Sequence, residues 1–237
     1  AARQSARGGS ARHLREAKQR GAEIPRRLHS MGGIFALKVC VYAICKNESQ
    51  FVDRFMDSMS EADYVCVLDT GSSDDTVKKL RARGAIVGET VVSPWRFDTA
   101  RNESLGLIPA DADICCAIDL DEQFHPGWRA ALERAWQPDT TRARYRYTWS
   151  FRPDGSEGMV FWADKIHKNG CYRWASPVHE TLAYTGEGAE RFVDAAGVQL
   201  DHHPDETKSR GQYLPLLELA VREDPQNDLN CHYLGRE

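Results

Sequence analysis

An apolar run at residues 114–118 leads directly into Asp119-Leu120-Asp121-Glu122, and this junction constrains the fold more than any other segment. An uninterrupted apolar run of this length is typical of a strand buried inside a parallel sheet. In open α/β sheets, ligands bind just beyond the carboxyl ends of the strands. Carboxylates crowded at such an edge repel one another unless a cation lies between them, and their oxygens suit Mg²⁺ or Mn²⁺ together with phosphate. The junction therefore predicts a metal–diphosphate site, with a solvated acidic turn as the alternative.

The length and charge of the chain limit the classes of protein to which it can belong. A chain of 237 residues can bury the core of one α/β domain with a small appendage. Its formal net charge of −4 argues against a general nucleic-acid binder, so we expect no nucleic-acid partner. The seven cysteines include no Cys-x-x-Cys pair, which argues against a zinc site and favours a reducing, cytoplasmic location.

The first 32 residues differ from the rest of the chain. They are rich in arginine and lysine and poor in large apolar side chains, which predicts a flexible basic tail. They contain no apolar segment of the kind that a secretory signal needs, and no stretch of the chain is apolar enough to span a bilayer. A basic tail also suits an anionic lipid surface, so peripheral contact with the inner face of a membrane is an alternative to a purely cytoplasmic location.

Residues 33–137 alternate between apolar runs and segments of helical periodicity. The apolar runs that indicate buried strands cover residues 34–44, 64–68, 86–92 and 114–118. Strand–helix alternation of this kind predicts a mostly parallel, Rossmann-like sheet that is flanked by helices.

The pattern changes after Pro138. Strand-like runs at residues 144–151 and 159–167 flank a turn signal, Asn169-Gly170 is typical of a hairpin, and residues 193–200 indicate another strand. We therefore expect a smaller antiparallel portion that completes a domain over residues 33–205.

Residues 206–237 return to a helical pattern that Asp224-Pro225 interrupts. Two short helices around a proline are consistent with the start of tetratricopeptide-like repeats. A plain C-terminal helical segment is the alternative.

Four polar motifs follow the predicted strands in order. They are Lys46-Asn47-Glu48, Asp69-Thr70-Gly71-Ser72, Ala100-Arg101-Asn102 and Asp119-Leu120-Asp121-Glu122. Together they closely resemble the motifs of family-2 glycosyltransferases with the GT-A fold. The resemblance covers about residues 36–137 and extends more weakly through residues 174–180 and 202–204.

This resemblance implies an inverting transfer of a sugar from a nucleotide-diphosphate donor, for which we favour a UDP-sugar. It places the donor against the motif side chains, namely Asn47, Glu48, Asp69, Ser72, Arg101, Asn102 and Asp119. A guanidinium such as that of Arg101 can neutralise phosphate, although a surface salt bridge would also explain it.

The family pattern further implies a divalent metal bound by Asp121. A downstream histidine returns to the metal in several GT-A enzymes, and His203 is our candidate, with His202 as the alternative. An imidazole ligand would favour Mn²⁺ over Mg²⁺.

An inverting transfer needs a base for the acceptor hydroxyl on the face opposite the leaving group. Glu180 is the predicted base, and His179 is either its partner or the base itself. Elsewhere in the family the base is often an aspartate, so this assignment departs from the usual pattern. The alternative is that the two residues form a structural pair.

Two other functions remain open from the sequence. A sugar nucleotidyltransferase would use a glycine-rich phosphate loop after the first strand, whereas residues 43–48 contain no glycine. A catalytically inactive GT-A-like interaction module is the second, because a fold does not fix a function. The acceptor could be a hydroxyl on a glycan, a lipid or a protein.

Overall fold

The computed structural model describes residues 37–205, 211 and 213–237. The predicted basic tail at residues 1–32 lies outside these ranges. The residues from Leu37 onward belong to one compact unit. Within the described ranges, no helix combines the length and the apolar character that crossing a membrane requires.

The described residues form ten strands and six α-helices. The strands are β1 (Val39–Cys45), β2 (Tyr64–Asp69), β3 (Ile86–Glu89), β4 (Ile114–Ala117), β5 (Glu122–Phe124), β6 (Arg142–Thr148), β7 (Val160–Lys168), β8 (Tyr172–Ala175), β9 (Thr181–Tyr184) and β10 (Phe192–His202). The helices are α1 (Val52–Ser58), α2 (Thr76–Ala82), α3 (Phe97–Ser104), α4 (Trp128–Ala135), α5 (Tyr213–Glu223) and α6 (Asp228–Leu234). Each of the four apolar runs predicted in the first half overlaps a strand.

Eight strands form one sheet in the order β3-β2-β1-β4-β7-β6-β10-β5. The strands β1, β2, β3 and β4 are parallel, as the strand–helix alternation predicts. The chain winds outward from β1 to β3 and then returns to the other side of β1 for β4. Strand order reverses at this point, and in open α/β sheets the ligand crevice lies at such a position, beyond the carboxyl ends of the strands. The fold class is therefore α/β with a Rossmann-like, GT-A type of sheet, as predicted.

The sheet is covered on both faces, which explains why β1 is buried along its whole length. One face packs against the helices in a core that includes Phe55, Leu80, Trp128 and Leu132. The other face packs against the small antiparallel sheet of β8 and β9, through side chains such as Tyr42 and Trp174. Burial on both faces removes the polar alternation that a half-exposed strand would show.

The second half differs from the expectation in two respects. β6 and β7 are antiparallel neighbours, as predicted, but β10 runs parallel to β6. The predicted Asn169-Gly170 hairpin is also wrong, because β7 pairs with β4 and β6 whereas β8 pairs with β9. Gly170 does adopt a turn conformation, with φ of 73°. The turn therefore moves the chain from the large sheet to the small one.

The helices α5 and α6, here called the helical pair, pack against the α/β domain. Their buried side chains Leu216, Leu217 and Ala220 surround Val178 of the β8–β9 connection. Arg96, just before α3, forms a salt bridge with Glu223 at the end of α5. The helical segment that the sequence predicts is therefore packed against the same domain as the candidate site residues.

Candidate active site

The first two polar motifs converge because β1 and β2 end side by side. The Cα of Cys45 pairs with that of Asp69 at the ends of the two strands. Asn47 adopts a left-handed conformation with φ of 54° just beyond β1. Its backbone N–H donates to the Ser72 hydroxyl at 2.8 Å, and its side-chain oxygen accepts from the Ser73 N–H at 2.8 Å. The two loops are thus joined into one rigid wall of the crevice.

The Asp69 carboxylate holds the loop after β2 that forms part of this wall. Its carboxylate accepts hydrogen bonds from the backbone N–H groups of Gly71 and Ser72, at 2.9 and 2.8 Å, and from the Ser72 hydroxyl. Asp69 is only 2% exposed. Because both oxygens are used within the loop, Asp69 presents Asn47 and Ser72 to the crevice. Glu48 is also buried, and its N–H donates to the hydroxyl of Thr76 at the start of α2.

Arg101 joins the acidic motif after β4 to the connection between β8 and β9. Its guanidinium contacts Asp119, which follows β4, with Nη2 3.0 Å from Oδ1, and it donates from Nε to Glu180, which precedes β9. The Arg101 side chain is 5% exposed. Burial opposes the charge, but Asp119 and Glu180 outweigh burial and raise the pKa of Arg101 above its usual value. The alternative of a surface salt bridge is therefore excluded for Arg101.

Lys165 is a second cation at the site that the sequence analysis missed. It lies on β7 with Nζ 3.8 Å from Asp119 and 4.0 Å from Glu122. Burial raises the pKa of Asp119, but the Arg101 and Lys165 cations outweigh burial and hold it below its usual value. A lysine inside the strand-like run 159–167 was the available signal, but only strand pairing brings it to the acidic motif.

Glu122 supports this acidic motif from within the core. It is 2% exposed, accepts from the Asp119 N–H at 2.8 Å and accepts from the Tyr147 hydroxyl at 2.6 Å. Burial raises the pKa of Glu122. Glu122 thereby fixes the backbone from which Asp119 and Asp121 extend.

Asp121 lies beside a histidine at the end of β10. The His202 Nε2 atom lies 3.5 Å from Asp121 Oδ2, and the two side chains are 10% and 18% exposed. The neighbouring His203 is attached through its backbone, since its N–H donates to the Asp121 carbonyl at 2.8 Å. The His203 ring stacks on Phe151 at 5.3 Å. The structure thus brings both candidate histidines to Asp121 and turns the His202 imidazole toward its carboxylate.

A carboxylate oxygen and an imidazole nitrogen at this separation are a donor pair that suits a divalent ion such as Mn²⁺. Nearby, Nε and Nη2 of Arg54 on α1 are buried and have no hydrogen-bond partner among the described residues. Burial lowers the pKa of Arg54, and the Asp121 carboxylate opposes this shift. Within the described ranges, no group of three or more His, Cys, Asp or Glu side chains surrounds one metal position.

Asn102 is hydrogen-bonded to the backbone of β8. Its amide donates to the Trp174 carbonyl at 2.8 Å, and its side-chain oxygen accepts from the Trp174 N–H at 2.8 Å. This pair of bonds attaches β8 to α3. The structure therefore places Asn102 where it positions the strand that precedes Glu180.

The connection from β8 to β9 presents Glu180 and His179 in different directions. Glu180 points to Arg101 through Oε1, and in the described part of the chain its Oε2 makes no hydrogen bond. The His179 ring stacks on Tyr233 of α6, with ring centroids 3.9 Å apart and planes at 17°. Glu180 therefore lies within the charged cluster, whereas His179 packs against the helical pair.

Comparisons with known proteins agree with the fold. No protein-family model matches this sequence. The crystal structure of a mycobacterial protein is similar with a TM-score of 0.51 and 16% sequence identity, over 89% of this chain and 75% of that one. At this identity the similarity shows a shared fold and nothing further.

Glucosyl-3-phosphoglycerate synthase from Mycobacterium tuberculosis is also similar. Its complex with Mn²⁺, UDP and glucosyl-3-phosphoglycerate matches with a TM-score of 0.40 and 23% identity, over 61% of this chain and 50% of the synthase. Its complex with Mg²⁺ and UDP matches with a TM-score of 0.39 and 24% identity, over 60% of this chain and 49% of the synthase. The chain therefore spans about half the length of the synthase.

Proposed function

We propose that this chain is a metal-dependent glycosyltransferase domain that moves a sugar, with inversion, from a UDP-sugar to an acceptor hydroxyl. The observation that carries the proposal is the Arg101 bridge between Asp119 and Glu180, in which Asp119 lies two positions before Asp121 in the acidic motif. This bridge holds Asp119 on the donor side and Glu180 on the acceptor side in one cluster. The cluster lies where the strand order of the sheet reverses. Charge arranged in this way before the substrates bind is what a group transfer needs.

The wall built from Asn47 and Ser72 is the proposed nucleotide pocket. Asn47 is exposed and Ser72 partly exposed, whereas Asp69 and Glu48 are buried behind them. The exposed pair can meet the base and ribose, and the buried pair keeps the loops in place. Asp119, held by Arg101 and Lys165, can accept from a hydroxyl of the ribose or the sugar.

The proposed metal ligands are Asp121 and a histidine, and His202 replaces His203 as the preferred side chain because its ring faces the carboxylate. The remaining ligands would be water and the donor diphosphate, as is usual for Mg²⁺ and Mn²⁺. A bound Mn²⁺ would offset the charge that develops on the departing diphosphate. The unpartnered nitrogens of Arg54 can donate to the same phosphate oxygens.

Glu180 is the proposed base. Its Oε2 can accept the proton of the acceptor hydroxyl while Arg101 keeps the carboxylate in place through Oε1. The hydroxyl oxygen then forms the new bond to the anomeric carbon as the bond to the diphosphate breaks, in a single in-line displacement. The acceptor hydroxyl belongs to a glycan, a lipid-linked glycan or a protein side chain.

Thermal unfolding with and without ligand tests this proposal. The nucleotides are UDP, GDP, CMP and dTDP, each with and without Mn²⁺ or Mg²⁺, because a ligand that binds only the folded state raises its stability. We expect a shift with UDP that requires the metal and disappears in Asp121→Asn. The matched control is Asp139→Asn, at an exposed carboxylate that lies outside the four polar motifs.

The outcomes of this experiment separate the candidate functions. A shift with a different nucleotide would retain the transferase and correct the donor. No shift with any nucleotide would overturn the proposal in favour of an inactive interaction module. Incubation of the protein with a nucleoside triphosphate and a sugar phosphate tests for a nucleotidyltransferase, and release of pyrophosphate would support that alternative.

A further inference from the structure

The segment that carries Glu180 cannot hold its shape alone. Residues 176–180, here called the 176–180 loop, connect the two strands of a small antiparallel sheet. Ser176 and His179 both adopt left-handed backbone conformations, with φ of 83° and 49°. Non-glycine residues keep such conformations only where their surroundings determine them. Contacts from outside the loop must therefore maintain the direction in which Glu180 points.

Those contacts come from the helical pair. Val178 is 0% exposed and packs among Leu216, Leu217 and Ala220 of α5. The His179 ring lies against Tyr233 of α6, nearly parallel and with centroids 3.9 Å apart. The Ser176 hydroxyl, which donates to the Val178 carbonyl at 2.8 Å, also lies 3.4 Å from the side-chain oxygen of buried Asn230.

The loop is further attached to α3, on which Arg101 lies. The Phe97 N–H at the start of α3 donates to the Pro177 carbonyl at 3.0 Å. The Phe97 ring stacks on Tyr213 of α5 at 6.0 Å. The helical pair therefore contacts both the loop that carries Glu180 and the helix that carries its partner Arg101.

From these contacts we infer that the helical pair is part of the catalytic architecture, and that Tyr233 is a positioning residue that fixes Glu180 through His179. This inference rests on the proposed function in one respect only, namely that Glu180 is the base. His179, with its ring against Tyr233, holds the backbone of the adjacent Glu180. The helical pair then has a role within this domain that does not depend on whether further repeats follow it.

The test compares three variants of the full chain. Tyr233→Ala removes the ring, Tyr233→Phe keeps it, and Leu229→Ala removes an apolar side chain from an exposed position on the same helix. Hydrogen–deuterium exchange reports on the 176–180 loop without requiring a substrate. Release of UDP from UDP-glucose, with water as the acceptor, and thermal stabilisation by UDP with Mn²⁺ report on the site.

We expect Tyr233→Ala to raise exchange in the 176–180 loop at least tenfold while residues 69–76 exchange as in the wild type. The rate of UDP release at saturating UDP-glucose should fall at least tenfold, with KM within about twofold. Tyr233→Phe should restore both readouts, and Leu229→Ala should match the wild type. If Tyr233→Ala does not fold, Tyr233→Leu gives the same comparison with the apolar volume kept.

Two results would overturn the inference. Loop exchange in Tyr233→Ala that equals that of Leu229→Ala would show that the ring does not hold the loop. An equal rise in exchange over residues 69–76 would show that Tyr233 contributes only general stability. If the wild type neither binds UDP nor releases it, the proposed function fails, whereas the exchange data still decide whether Tyr233 fixes the loop.

Discussion

The residues before α4 and those after it reach the crevice by different routes. Asn47, Asp69 and Asp119 lie at the end of a parallel strand or two residues after it, so the sheet edge brings them together directly. Glu180, Lys165 and His202 come from the mixed part of the sheet and from a loop that other elements must hold. The comparison shows that one half of the site is fixed by local strand–loop geometry and the other half by packing at a distance.

The largest expected effect is at Glu180, on the side that depends on packing. Glu180→Gln removes the proposed base and keeps a hydrogen-bond acceptor for Arg101. We expect UDP release from the UDP-sugar to slow by about 10²–10⁴-fold, the usual contribution of a general base. The Mn²⁺-dependent thermal shift with UDP should persist, because Glu180 belongs neither to the nucleotide wall nor to the proposed metal ligands.

The control for this change is Glu187→Gln, at an exposed glutamate shortly after β9. Its turnover should equal that of the wild type. Loss of the UDP-induced shift in Glu180→Gln would contradict the assignment of Glu180 to the acceptor side, because Glu180 would then determine nucleotide binding.

Arg101 tests the connection between the halves. Arg101→Met leaves Asp119 and Glu180 without their shared cation, and an unpaired buried charge costs about 3–5 kcal/mol. Chemical denaturation should report a loss of unfolding free energy of this size. Arg101→Lys should restore only part of it, because an ammonium lacks the planar fork that reaches two carboxylates.

Arg81→Met is the matched control, since Arg81 pairs with Glu89 at the surface, where the two side chains are 53% and 57% exposed. This change should cost about 0–1 kcal/mol. Equal losses for Arg81→Met and Arg101→Met would show that the Arg101 bridge contributes no more to stability than an exposed ion pair does.

His167 makes the packing between the large and small sheets sensitive to pH. It is 1% exposed, and burial lowers its pKa from 6.5 to about 4. Its Nδ1 donates to the Lys168 carbonyl at 3.0 Å, and its Nε2 accepts from the Tyr42 hydroxyl, which in turn accepts from Trp174 of β8. The folded protein therefore keeps His167 neutral where the unfolded chain would protonate it.

The sign of the pH effect follows from this lowered pKa. The contribution to stability is complete above pH 6.5 and is lost as the pH falls from 6.5 towards about 4, by roughly 3 kcal/mol in total. The unfolding free energy of His167→Gln, measured across this range, should rise with pH less steeply than that of the wild type. The difference in slope corresponds to the uptake of up to one proton on unfolding. His232→Gln, at an exposed histidine, should keep the wild-type slope.

Asn102 tests how β8 is attached to the first half. Asn102→Ala removes both hydrogen bonds to Trp174 and should cost about 1–3 kcal/mol in unfolding free energy. Asn102→Asp keeps the acceptor but places a carboxylate oxygen against the Trp174 carbonyl, so its cost should be at least as large. A fall in UDP affinity with unchanged stability would instead assign Asn102 to the donor pocket.

The sequence analysis predicted the first half well because its signals are local. The buried run 114–118 and the polar residues after it specify a strand and the loop at its end, and parallel strands bring such loops together. Asp121 and Glu180 were recognised as site candidates by resemblance, and their roles stay proposals. Lys165 was missed, because its position opposite Asp119 depends on the pairing of β7 with β4.

The sequence by itself determined the parallel sheet, the order of its strands along the chain and the acidic motif at its edge. Each of these follows from hydrophobic periodicity and residue type within about ten neighbouring residues. Only the tertiary structure decided that Arg101 joins Asp119 to Glu180, that the His202 ring faces Asp121, and that Tyr233 packs on His179. These contacts join residues 18 to 81 positions apart. Local sequence propensity cannot predict these contacts, because strand pairing and helix packing determine which distant side chains lie together.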